Sequence, residues 1–186
     1  MRRYGWQLNI IIASALLTLA LLLGGQWIYR QQYQEKPLAS NIKELQGVEG
    51  VTTGNRDGQV DIQMALGRVP DLQETYLEAR KAAAATYGPD GFYLEVKGRE
   101  GPEVDKAWYK VQYAVYEAAR QGNFTDMAKT VEQEARLDGL DSWGLYVDDQ
   151  NIYLQMHLGG QNLYRVVTVA AGSLQGAGAG AKGGSA

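Results

Sequence analysis

Few side chains in this chain could do chemistry, and their spacing excludes more than it offers. His157 is the single histidine among 186 residues, and cysteine is absent. Those counts exclude a multi-histidine or thiolate metal site, a cysteine nucleophile and any disulfide, and they leave a serine triad one candidate base. The alternation in "NIYLQMHL" sets Ile152, Leu154, Met156 and Leu158 on one side of a strand, and Tyr153, Gln155 and His157 on the other. No carboxylate or serine stands at a defined spacing from the histidine, so the expectation is a solvated surface ring.

The carboxylates offer two further chemistries. Asp138, Asp141, Asp148 and Asp149 could gather at one end of a meander and hold calcium through oxygen ligands. Their spacing lacks the alternating Asp/Asn positions, the central glycine and the closing glutamate of an EF-hand loop. Turns and helix ends use the same residue types for local hydrogen bonds, and that is their expected role. A hydrolase would need an acid–base pair such as Glu132/Glu134 or Asp148/Asp149. Residues two apart on a helix diverge, and the aspartates fall in a turn. The glycines of "GVEGVTTG" and Gly159-Gly160 carry no Lys-Ser/Thr partner and are not phosphate loops. The expectation is a non-catalytic protein with no cofactor and no metal.

The remaining candidate is aromatic. Tyr109, Tyr113 and Tyr116 recur at i, i+4 and i+7, and Arg120 continues the row. Such a row could anchor a protein partner or a sugar, because each ring brings area and a hydroxyl at low entropic cost. Aromatic stripes at helical spacing usually belong to a core. The simpler expectation has the helix packing on its own sheet with one arc and on the preceding module with the other.

These residues need elements to hold them. The apolar run within 8–28 is bracketed by Trp6 and Trp27, with Tyr4 and Tyr29 outside them. At about 1.5 Å per residue the two tryptophans stand roughly 31 Å apart, close to the thickness of a bilayer core. Rings on both flanks read as interfacial belts. The following "LGGQWIYRQQYQEK" offers no good small-x-small cleavage site. The expectation is a retained signal-anchor over 8–28, with residues 1–7 inside the cell, a polar stalk over 29–39 and the main body outside the cell membrane.

With Arg2 and Arg3 inside, the outer part holds 16 basic against 21 acidic residues. Mild acidity without a basic cluster argues against nucleic-acid binding.

The outer part reads as α+β in two modules. In 40–98, a short helix over "SNIKELQ" precedes a strand led by Val48 and Val51, the hairpin turn "NRDG" and an alternating strand through Val60, Ile62, Met64 and Leu66. A helix capped by Asp71 buries Leu72, Tyr76, Ala79 and Ala83 on one face, and "FYLEVK" is a third strand. "GREGP" marks the boundary. In 102–169, two helices carry Trp108/Val111/Val115/Ala118 and Met127/Val131/Ala135. They lead into the three-stranded antiparallel meander "SWGLYV", "NIYLQMHL" and "NLYRVVTV". Residues 170–186, Gly/Ala-rich, read as a disordered tail.

In element order, "IKELQGVEGVTT…GQVDIQMAL…PDLQETYLEARKAAAATY…FYLEVK" resembles the ring-building motifs of membrane-anchored sporulation and secretion proteins. The likeness is carried by "L-x-G-V-x-G-V" before an alternating strand. It implies a ferredoxin-like half module that stacks side by side with other copies. Together these readings describe a single-pass membrane protein with an extracytoplasmic interaction or scaffold domain, engaging a protein partner or itself. The alternative is a ligand- or wall-binding sensor that uses the tyrosine row.

Overall fold

A computed structural model describes residues 42–170, together with Thr18 and Leu19, which are helical. Apart from those two, the predicted span over 8–28 lies outside the described residues. So do Tyr4, Trp6, Trp27, Tyr29, the stalk and the tail from 171 onward. Among the described residues no helix is long and apolar enough to cross a membrane.

From Ile42 the chain is mixed α+β, with three helices and two three-stranded sheets among the described residues. After a helical turn at 42–43, β1 (Val48–Arg56) and β2 (Gln59–Leu66) form an antiparallel hairpin in which Arg56 faces Gln59. Its loop is the two residues Asp57 and Gly58, at φ 53° and 84°. Two successive positive φ values match the twist of a tight hairpin, and they are why Asp-Gly stands there. The helix α1 (Leu72–Tyr87) then carries the chain back so that β3 (Phe92–Lys97) runs parallel to β2. The Asp71 carboxylate accepts from the Glu74 amide at 3.1 Å, satisfying one of the orphan donors of the first turn. Leu72, Tyr76, Ala79 and Ala83, the predicted stripe, are buried.

The second half opens with α2 (Pro102–Gln121), which has Pro102 at its first position and the left-handed Gly122 after its last. Next come α3 (Phe124–Leu137) and an antiparallel meander of β4 (Ser142–Val147), β5 (Asn151–Leu158) and β6 (Gln161–Thr168). Asp148 tightens the β4–β5 turn by accepting from the Gln150 and Asn151 amides, both at 2.8 Å. Val111 and Val115 from α2 and Met127 and Val131 from α3 close on Ile152, Leu154 and Met156. Each fully buried aliphatic side chain of this kind contributes about 1.5–3 kcal/mol.

The decisive feature is β5. Every residue from Asn151 to His157 is buried, so the strand is covered on both faces. Its apolar face meets the two helices. Tyr153, together with Tyr164 of β6, belongs to the first module's core, among Ile62, Met64, Leu66, Leu72 and Tyr76. The rings of Tyr76 and Tyr153 meet edge-on with centroids 5.6 Å apart.

The segment between the modules is stitched down as well. The Asn162 amide donates to the Arg99 carbonyl at 2.9 Å, and Gln161 Oε1 accepts from the Glu103 and Val104 amides at the start of α2.

This geometry corrects the expectation for His157. It is 2% exposed, not solvated. Alternation separates the apolar from the polar face of a strand, but a polar face can be buried where its groups satisfy one another.

Candidate functional site

The seam between the modules is a chain of buried polar groups. The Tyr164 hydroxyl donates to the Gly67 carbonyl at 2.5 Å and accepts from the Val69 amide at 3.1 Å. It also lies 2.9 Å from His157 Nε2. A tyrosine has one hydroxyl proton, and that proton is committed to Gly67. His157 Nε2 therefore carries the donor hydrogen, and Nδ1 is left as the acceptor. Ser142 Oγ stands 2.8 Å from Nδ1 and donates to it. Arg68 Nη2 in turn donates to Ser142 Oγ at 3.0 Å. The relay thus starts at the backbone of Gly67 and returns to the side chain of the next residue.

Burial depresses the His157 pKa from its ordinary value; Arg68 adds to the effect, and Asp141 opposes it. The neutral ring that the relay requires is therefore the form the fold prefers. Burial raises the Tyr164 pKa, keeping its proton in place. Beside the relay, Gln155 Oε1 accepts from the Leu72 amide at 2.7 Å and its Nε2 donates to the Pro70 carbonyl at 3.1 Å. A side chain of the second module thereby satisfies the first turn of α1. Outward of these groups a cleft of about 460 Å³ opens, lined by Gln46, Arg68, Trp143, Tyr146 and His157 among others.

The carboxylates named from the sequence are scattered. Asp138 and Glu134 meet Lys110 at 2.6 and 3.3 Å, tying α3 to α2. Glu132 pairs with Arg136 on its own helix, and Asp141 accepts from the Gly159 amide. Asp148 also accepts from the Tyr153 hydroxyl at 2.7 Å. Burial alone would raise its pKa, but the donated hydrogen bonds outweigh burial and lower it. Among the described residues no group of three or more His, Cys, Asp or Glu could hold a metal ion.

The tyrosine row is on the surface. Tyr109, Tyr113 and Tyr116 are 65%, 68% and 48% exposed, and Arg120 is exposed beyond them. The expected contact of this arc with the first module does not occur, because that module is covered by the opposite face of the meander. The helix does pack on its own sheet, through Val104, Ala107, Val111, Val115 and Ala118. The row is ordered by ring contacts. Tyr109 meets Tyr113 edge-on at 6.4 Å, and Tyr116 meets Trp108 at 5.8 Å. Arg165, held by Glu100 through two bonds of 2.6 and 3.2 Å, lies over the Trp108 ring at 5.5 Å.

Sequence reasoning missed Ser142, Tyr164 and Arg68. One available signal was the run of Tyr153, Gln155, His157 and Tyr164 on one side of two adjacent strands, too rich in rings for a solvated face. The fold and seam define a mixed α+β body in which two three-stranded sheets meet at one buried strand. No protein-family model, no curated protein and no solved structure matches the chain.

Proposed function

We propose that the protein is a single-pass, membrane-tethered interaction domain without catalytic activity, part of a cell-envelope or sporulation assembly. In this reading the tyrosine face of α2 is its docking surface. The carrying observation is the exposure of Tyr109, Tyr113 and Tyr116 as a contiguous row, with Arg120 at its end. Tyrosine and arginine are the residue types that dominate binding energy at protein interfaces, and large exposed rings in a row are unusual on a surface without a partner. The Tyr109 and Tyr113 rings stand at 76° to each other. They offer no common flat platform for a sugar ring, so a protein partner or a second copy fits the row better than a wall polymer.

The tether over 8–28 is supported by the flanking pairs Tyr4/Trp6 and Trp27/Tyr29, and an outward-facing body by the short basic N-terminus. Confinement to a membrane raises effective concentration, so modest contacts suffice.

Sedimentation of the full-length chain in detergent tests the reading together with a pull-down on isolated wall polymer. Concentration-dependent association that Tyr113→Ala abolishes upholds self-docking. Wall binding lost in the same variant transfers the face to the sensor reading. Absence of both, with no partner recovered through this face, removes the proposal.

A further inference from the structure

The seam carries a feature the tyrosine face does not explain. Arg56, Arg99, Arg136 and Arg165 each meet a glutamate. Arg68, an exposed side chain at the mouth of the junction cleft, meets a hydroxyl instead; like Arg80 and Arg120 it forms no ion pair among the described residues, but it alone of these three is tied to the buried relay. Its guanidinium has five N–H donors in a rigid fork, and one nitrogen is held by Ser142. That serine cannot turn away, because its own proton is committed to His157 Nδ1. Tyr164 holds His157, and the backbone on either side of Arg68 holds Tyr164. A buried relay therefore positions an arginine that has no carboxylate of its own.

We propose that the cleft beside this arginine binds a small carboxylate, clamped by the Arg68 guanidinium against the rings of Trp143 and Tyr146. A planar carboxylate matches the fork in two parallel hydrogen bonds, and the ring walls accept an apolar or aromatic remainder. The volume of about 460 Å³ suits a ligand of drug-like size or smaller. Charge selects a monoanion. Among the described residues lining the cleft Arg68 is the one cation, and His157 beside it is held in its neutral form. One arginine compensates one charge there, and a phosphate near −2 would be left in excess. Ser142, His157 and Tyr164 are positioning residues, since none has a free proton to give the ligand. This site is independent of the α2 face.

Two-dimensional NMR of the full-length chain in detergent tests the site, following the Arg68 Nε–H and Trp143 indole N–H signals. The probes are benzoate, the neutral isostere benzamide and phenylphosphonate. Benzoate should shift both signals saturably, benzamide should not, and phenylphosphonate should bind more weakly. Arg68→Gln should weaken benzoate at least about tenfold at unchanged melting temperature, and Arg68→Lys, keeping charge without the fork, by an intermediate factor. Ser142→Ala should also weaken benzoate while Arg68 itself remains. A short peptide compared with its C-terminally amidated twin assigns the source. Tighter binding of the free-acid peptide than of benzoate points to a polypeptide terminus, and the reverse order points to a free small acid. No saturable shift with any carboxylate, or equal benzoate affinity in Arg68→Gln, overturns the proposal.

Discussion

Replacing Tyr164 by Phe removes one oxygen and leaves the ring in place. That oxygen serves the Gly67 carbonyl, the Val69 amide and His157 Nε2 at once. The substitution strands one acceptor and two donors where water has little access. A buried polar group left unpaired costs about 1–3 kcal/mol. Some relaxation toward the cleft would satisfy part of the set, so the expected loss is roughly 3 kcal/mol, large against the about 5–15 kcal/mol that holds a typical domain. Urea unfolding of the full-length chain, followed by tryptophan fluorescence, reads it. With a slope of about 2 kcal/mol per molar the midpoint should fall by roughly 1.5 M with the slope unchanged. Tyr113→Phe, on an exposed ring, should stay within about 0.5 kcal/mol of wild type. Were Tyr164→Phe as stable as Tyr113→Phe, the seam would be a passive contact and the relay would have no structural weight.

Three further outcomes follow from the same geometry. The folded chain depresses the His157 pKa through burial first and Arg68 second, so the unfolded chain takes up the proton more readily. Stability should hold from pH 8 to about 6.5 and decline below it, and His157→Gln should flatten that decline when midpoints at pH 8, 6.5 and 5.5 are compared. A Cβ at Gly98 would overlap the Asn162 carbonyl oxygen, whereas one at Gly160 meets nothing within 4 Å. Gly98→Ala should therefore cost about 2–3 kcal/mol and Gly160→Ala close to none, read as paired urea midpoints. Asp71→Ala removes the side-chain cap of α1 and should cost about 1 kcal/mol in the same assay; no change would mean that Gln155 alone suffices at that helix start.

Local periodicity carried most of the fold. Asp57-Gly58, the Leu72/Tyr76/Ala79/Ala83 stripe and the alternation of β5 depend on neighbours in sequence, and each element forms where those signals stand. The seam depends on residues far apart in the chain. Tyr164 meets Gly67 and Val69 across 97 and 95 positions, and no window of one strand contains that pairing. For the same reason His157 read as solvated: polarity marks the face of a strand, and only the tertiary partner decides whether water or protein satisfies it. The tyrosine row was legible as a row, but its exposure follows from which side of the meander the first module covers. That choice was made by Tyr153 and Tyr164, whose rings fit the core around Tyr76.

A photo-crosslinking residue at position 113, compared with one at position 52 on β1, in intact cells making the full-length protein tests the docking face most directly. The account predicts a discrete, membrane-associated adduct from position 113 and none from position 52. No adduct from 113, or the same adducts from both positions, would contradict it.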